Sequence, residues 1–310
     1  MNRIGVIGVG YLGSQHARIL SSISECKLTC VVDIDKERAD SVAKQYNTIP
    51  VYNWRDAISL IDSAVVATPT STHFEISKEL MERGKHVLVE KPLTEKVEEA
   101  EELVDCARKA GIVLQVGHVE RFNPALCEAK KLMNNPRFIE VHRLGTFSYR
   151  SIDIDVVLDL MIHDIDIVLD IVNSEPVEIK SAGVKVLTSK IDIANARIEF
   201  ESGCVANLTA SRVYGKKIRK LRVFQPFKYI SIDYKDQEVK IYSLENYSIK
   251  EEVLNVEKGE PLKIELLNFI RTIQGKDGKG VTGEEGLKAL KLAHKILKEM
   301  KSDFLVNERK

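Results

Sequence analysis

The chain lacks an excess of charge of either sign: Lys and Arg total 46, Asp and Glu total 46, and the net charge is zero. A basic surface that would hold nucleic acid, or an acidic tail, is therefore not indicated. It also lacks a long hydrophobic run, since charges interrupt every apolar stretch well before a bilayer's thickness, so no membrane partner is expected. Five cysteines is an odd number, and only Cys26 and Cys30 are close in sequence, without other metal-ligand residues beside them. Free thiols in a reducing cytoplasm are the expected state, with no metal site. There is no internal repeat and no low-complexity linker. The opening MNRIGVIGVGYLG runs straight from apolar residues into glycines and is expected to be a buried strand, not a signal peptide.

What is present is a rhythm. Over the first 119 residues, short apolar runs alternate with amphipathic stretches: RIGVIGV, LTCVVDID, SAVVATP, HVLVEKP and IVLQVG are expected strands, with helical segments between them. That alternation predicts an α/β domain, a doubly wound parallel sheet covered by helices on both faces, over residues 1–119. After about residue 120 the rhythm changes. A helix from Pro124, the strand RFIEVHRLGTF and an apolar helix at about 155–172 are followed by six strand-like runs with few helices between them, then by two closing helices. Residues 120–310 are expected to form an α+β domain with a largely antiparallel open sheet.

The first strand ends in GVGYLG, a G-x-G-x-x-G placed between strand and helix. Gly8 permits a tight turn, Gly10 lets a pyrophosphate approach the backbone, and Gly13 lets helix and strand pack closely. The helix N-terminus then offers amides to the phosphates. The second strand ends in Asp33, twenty positions after Gly13, where an acid can accept hydrogen bonds from an adenosine ribose and repel a 2′-phosphate. Gly8, Gly10, Tyr11, Leu12, Gly13 and Asp33 are therefore candidate cofactor-binding residues, and NAD is favoured over NADP, against the nearby cations Lys36 and Arg38. ATPTSTHFE and EKP fall where two further strands end, at the sheet edge where such folds bind ligands. Thr68, Pro69, Thr70, His73, Glu90 and Lys91 join the cofactor candidates; for His73 the competing reading is helix capping or packing.

The apolar run VLDLMIHDIDIVLDIV carries Asp159 and His163, one helical turn apart on a shared face. Burying a carboxylate and an imidazole is costly unless each is paired or used. The competing reading is a satisfied pair that holds the helix in place. Asp164, Asp166 and Asp170 are expected to cap, pair or face solvent, with Asp166 near enough to the active face to touch substrate.

The glycine loop, ATPTSTH, EKP and D-x-x-x-H together resemble the glucose–fructose oxidoreductase/inositol dehydrogenase/rhizopine-catabolism (Gfo/Idh/MocA) family of NAD(P)-dependent oxidoreductases, in the family's order along the whole chain. The resemblance implies that Lys91, Asp159 and His163 serve the reaction, and that the Lys91–Pro92 bond is cis. His163 would act as general base, Asp159 would orient it, and Lys91 would stabilise the developing alkoxide. The family usually has glycine midway between the Asp and the His, where this chain has Met161. VGHVERFNPAL with VVLDLMIHDIDIV is similar to one branch, which includes UDP-N-acetylglucosamine 3-dehydrogenases. That likeness implies oxidation at C3 of a sugar nucleotide for lipid A synthesis. Arg121, Arg143 and Arg150 are candidate cations for its diphosphate, and His118 and Asn123 candidate contacts for sugar hydroxyls; salt bridges and packing are the competing readings. A free polyol or sugar dehydrogenase and a non-catalytic NAD-bound sensor are the alternatives. A homodimer or homotetramer is expected through an apolar outer face of the second sheet.

Overall fold

The computed structural model describes residues 1–148 and 154–307, the side chains of 301–307 excepted. Arg150 lies outside the described residues. The chain packs as two compact units: Met1–Val119 with Glu260–Leu287, and Glu120–Gly259 with Lys288–Lys310.

The first unit is built on β1 (Asn2–Ile7), β2 (Cys26–Val32), β3 (Ile49–Val51), β4 (Ser63–Val66), β5 (His86–Glu90) and β6 (Leu114–Gly117), in the order β3-β2-β1-β4-β5-β6. Every neighbouring pair is parallel. The helices between them are α1 (Tyr11–Ser22), α2 (Lys36–Tyr46), the short α3 (Trp54–Ala57), α4 (His73–Glu82) and α5 (Val97–Ala110). Local chemistry sets their ends. Asp35 and Asn53 cap α2 and α3 through side-chain oxygens, and Gly111 closes α5 in the left-handed region at φ 66°. Strands such as Ser63–Val66 are apolar or small throughout and fully buried, as parallel strands covered on both faces must be.

The strand order reverses between β1 and β4, which opens a crevice at the strands' carboxyl ends. Residues 260–287 were expected in the second domain but pack in this first unit. The reason lies in α8 (Pro261–Ile273), which buries Leu266, Phe269 and Ile270 in one cluster with Ile4, Val6 and Leu20. Its apolar stripe completes a face of the parallel sheet. The closing helix α9 (Gly283–Asn307) starts in the first unit and runs on into the second.

The second unit carries α6 (Pro124–Lys130), β7 (Phe138–Leu144), α7 (Ile162–Val172), β8 (Pro176–Val184), β9 (Ile193–Phe200), β10 (Val205–Ser211), β11 (Ile218–Gln225), β12 (Lys228–Asp233), β13 (Glu238–Glu245) and β14 (Ser248–Leu254). Its sheet has eight strands in the order β14-β13-β12-β11-β7-β10-β9-β8. All pairs are antiparallel except β10 with β7.

One face buries Ile139, Val141, Ala196, Ile198, Leu208, Leu221 and Val223. The opposite face differs from the apolar one expected. The alternating partners there include Glu140, His142, Asn207, Thr209, Lys220 and Arg222, which are half-buried and polar. Arg222 pairs across the strands with Glu140 at 2.6 Å. Apolar groups on that face include one aromatic row, Phe138, Phe224, Tyr229 and Tyr242, which lie opposite one another on four adjacent strands, and the paired Leu144 and Ile218. Phe224 stacks on Tyr229 at 4.6 Å and Tyr229 on Tyr242 at 5.0 Å.

Candidate functional site

In the first unit the three loop glycines separate by what a side chain would meet. At Gly13 a Cβ would stand 1.8 Å from the Gly8 carbonyl oxygen, so helix and strand can close only on glycine. Gly8 has φ +83°, and a Cβ there would stand 2.7 Å from the Ala67 oxygen. At Gly10 nothing lies within 4 Å. The backbone there is open to a ligand, which is the arrangement a pyrophosphate needs. Gly10 also starts α1 with no side-chain cap and with Tyr11 and Leu12 exposed, so the helix dipole faces that opening without a competing side-chain acceptor.

Asp33 follows β2 directly and is buried. Its Oδ2 accepts from the Val9 amide at 3.0 Å and its Oδ1 from the Asp35 amide at 3.0 Å. The acid thus ties down the glycine loop. Arg38, one of the two cations that argued for NADP, approaches the same carboxylate at 3.3 Å.

At the ends of β4 and β5, Thr68, Pro69 and Thr70 lead into a short 3-10 turn, with the Thr72 hydroxyl donating to Thr68 Oγ1 at 2.8 Å. His73, expected as a cofactor contact, is buried instead with Nδ1 3.0 Å from the Pro92 carbonyl and Nε2 3.0 Å from the Thr68 carbonyl. It bridges two backbone segments, which is the competing packing role. Burial pushes its pKa down despite those two acceptors.

Lys91–Pro92 is cis. The Glu90 carboxylate is buried, with Oε1 2.7 Å from His16 Nε2 and Oε2 3.3 Å from the Lys91 amide. Burial opposes its charge, yet the His16 hydrogen bond and the nearby positive charges hold its pKa below the ordinary carboxylate value. His16 was missed in the sequence. Its signal was there, a polar residue three places after Gly13 on the helix face that also buries Ala17 and Leu20. His118, after β6, is buried.

In the second unit, Asp159 and His163 are both half-buried, on one continuous helical segment. The segment is not uniformly α-helical as expected. Val157–Met161 forms a π-helical turn before α7, so Asp159 sits in the widened turn and His163 in the first turn of the α-helix. Such π-turns occur often at functional sites.

The arginines expected to meet a diphosphate are occupied by acids of the same unit. Arg143 is buried, forks onto Asp164 with two contacts of 2.8 Å, and reaches Glu120 at 3.0 Å. Arg121 forks onto Asp166 at 2.7 and 2.8 Å and approaches Asp170 at 3.2 Å. Asp166, at 1% exposure, is a salt-bridge partner of Arg121, one of the roles expected for it. Asn123 is likewise a structural residue here: its Oδ1 caps α6 through the Ala125 amide and its Nδ2 donates to the Tyr234 carbonyl at 3.0 Å. Among the described residues no group of His, Cys, Asp and Glu could hold a metal ion, and no helix is long and apolar enough to cross a membrane.

Two family models match the chain. Residues 2–118 match the oxidoreductase family with an NAD-binding Rossmann fold, and residues 137–225 match the GFO/IDH/MocA C-terminal domain. The chain belongs to the Gfo/Idh/MocA oxidoreductase family. It is 37% identical over 278 residues to a UDP-N-acetylglucosamine 3-dehydrogenase of Acidithiobacillus ferrooxidans, covering 87% of this chain and 88% of the relative. A solved structure of the enzyme of that name from the same organism superposes with a TM-score of 0.92 at 35% identity, covering 97% of this chain and 98% of that one. A scyllo-inositol 2-dehydrogenase (NAD(+)) of Bacillus subtilis is 32% identical over 248 residues, 70% of each chain. Membership makes the chain an oxidoreductase built to bind a nicotinamide dinucleotide, and the open backbone at Gly10 fits that cofactor.

Proposed function

We propose that this chain oxidises a secondary hydroxyl of a nucleotide sugar to a ketone, at C3 of UDP-N-acetylglucosamine, with NAD as the oxidant. The observation that carries the reading is the 37% identity to a UDP-N-acetylglucosamine 3-dehydrogenase over nearly the whole of both chains. NAD is preferred to NADP because the buried Asp33 carboxylate would repel a 2′-phosphate, although Arg38 offsets part of its charge.

When bound, NAD accepts the hydride that leaves the carbinol carbon. His163 takes the hydroxyl proton as general base. Asp159, four residues earlier, orients the imidazole and balances the imidazolium that forms. Lys91 donates a hydrogen bond to the reacting oxygen and stabilises its alkoxide character. In reverse, the same groups polarise the ketone and return its proton.

The test is the appearance of NADH absorbance with UDP-N-acetylglucosamine, with NADP, myo-inositol and scyllo-inositol as comparison arms. Turnover with an inositol and none with the sugar nucleotide would replace this reading by the second one, which the 32% identity to an inositol dehydrogenase supports. No turnover with any of them, alongside tight NADH binding, would favour a sensor. We further place the protein in the cytoplasm, making a 3-keto sugar nucleotide for lipid A synthesis. We also propose a homodimer or homotetramer that covers the aromatic row of the second sheet; light scattering that reports a monomer at micromolar concentration would refute it.

A further inference from the structure

We propose that His16 is a positioning residue for Lys91, acting through the Glu90 carboxylate. The inference rests on the reading above in giving Lys91 its work at the reacting oxygen. His16 lies on α1, the helix whose first turn faces the open backbone at Gly10, and it is fully buried. Its Nε2 meets Glu90 Oε1 at 2.7 Å, and the other carboxylate oxygen accepts the Lys91 amide at 3.3 Å. The carboxylate is wedged from a third side: a Cβ at Gly117 would stand 3.0 Å from Oε2. Past Lys91, the Pro92 carbonyl is held by His73 Nδ1 at 3.0 Å.

Two ionisable groups are thus buried beneath one lysine. An apolar pair of similar volume would serve the fold as well or better, because desolvating a carboxylate is costly. What an apolar pair would not do is fix a backbone amide by a directed hydrogen bond. His16 Nδ1 has no hydrogen-bond partner, which places the ring's proton on Nε2, donating to Glu90. The chain His16–Glu90–Lys91 amide then transmits the position of the cofactor helix to the strand end that carries the lysine.

The experiment compares His16→Leu, which removes the donor, with His16→Gln, which restores an Nε2 donor, in the full-length protein. Three quantities are read: turnover of UDP-N-acetylglucosamine, NADH affinity by fluorescence, and the labelling rate of Lys91 by an amine-reactive reagent, with Lys85 and Lys96 as internal references. The expected result for His16→Leu is a kcat lower by about tenfold or more, since small misplacements of a reacting group have large effects. NADH affinity should stay within about twofold, and Lys91 labelling should change by about threefold while the reference lysines do not. His16→Gln should recover most of both losses. If the wild type does not turn over the sugar nucleotide, the functional reading fails, and the labelling still decides this inference. Should His16→Leu not fold, Gly117→Ala displaces the same carboxylate and is expected to change Lys91 labelling in the same way. Wild-type Lys91 labelling in His16→Leu, or in Gly117→Ala where that variant replaces it, overturns the proposal; so does a Gln variant as impaired as the Leu one.

Discussion

Gly10→Ala separates binding from folding within one loop. The structure gives the three glycines different tolerances. At Gly13 a methyl would overlap the Gly8 carbonyl oxygen at 1.8 Å and its carbon at 2.8 Å, both backbone atoms that can move only if the turn opens. At Gly8 the positive φ adds strain to a 2.7 Å clash. At Gly10 the backbone has φ −64°, which any residue adopts, and the space beyond is empty. Gly10→Ala should therefore fold, with stability within about 1 kcal/mol of wild type, since a compatible Gly→Ala change acts mainly on the unfolded chain.

Its effect should fall on the cofactor. A methyl at that point holds a pyrophosphate away from the amides at the start of α1. A hydrogen bond to a charged group is worth about 1.5–3 kcal/mol, so losing one weakens NADH binding by roughly 10- to 100-fold. Fluorescence titration of NADH reads the affinity, and thermal unfolding reads the fold. Gly10→Ala that binds NADH like the wild type would refute the placement of the pyrophosphate. Gly13→Ala with an unchanged melting temperature would refute the close-packing argument for that residue.

His163→Ala should lower kcat by about 10²-fold or more while NADH affinity is kept; activity within a few-fold of wild type would remove it from the chemistry. Arg143→Ala leaves Asp164 buried without its cation, while Glu120 keeps Arg219 at 2.8 Å, and should lose about 3–5 kcal/mol in urea unfolding. An unchanged urea midpoint with only a raised substrate KM would instead return Arg143 to the diphosphate. Asp192 is buried and accepts the amides of Val186, Leu187 and Thr188 at 2.8, 2.7 and 2.9 Å. Burial works against its charge, but those amides and the Thr188 hydroxyl bring its pKa down to about 2. A folded value below the unfolded one, roughly 3.9, means the stabilisation is complete above about pH 4 and is lost as pH falls toward 2. Asp192→Asn should flatten that acid limb of the stability curve, and an unchanged limb would count against the carboxylate's role.

The parallel sheet was legible because every buried strand announces itself as an apolar run and every crossover as an amphipathic one. Glycines that close a turn were legible too, since only they tolerate the approach. The short β3 was not, because three residues that include Pro50 carry no period. The π-helical turn at Val157–Met161 escaped because an apolar run reads alike in either winding. The allocation of α8 depended on which of two sheets its Leu266–Phe269–Ile270 stripe would cover, and an amphipathic pattern names a face without naming its partner. The second sheet's outer face was read as apolar from strand composition. That face instead mixes half-buried polar groups with the aromatic row from Phe138 to Tyr242 and the Leu144–Ile218 pair.

The cations and acids of the second unit show how one arrangement decides two questions. In the sequence, Arg121 and Arg143 are candidates for an anionic substrate with salt bridges as the competing reading, and Asp164, Asp166 and Asp170 are expected to cap, pair or face solvent. Each set answers the other: Arg143 forks onto Asp164, while Arg121 forks onto Asp166 and leans on Asp170. A fork of this geometry uses the planar donors that would otherwise grip a phosphate. Freeing either arginine for a substrate would leave a buried carboxylate behind, at a cost a diphosphate contact would first have to offset. Stability and recognition therefore compete for the same guanidinium groups. Arg121→Lys tests which has them: it keeps the charge but loses the fork to Asp166. If the fork serves the fold, the variant should unfold at lower urea with substrate KM unchanged. If Arg121 serves the diphosphate, KM should rise while the urea midpoint stays.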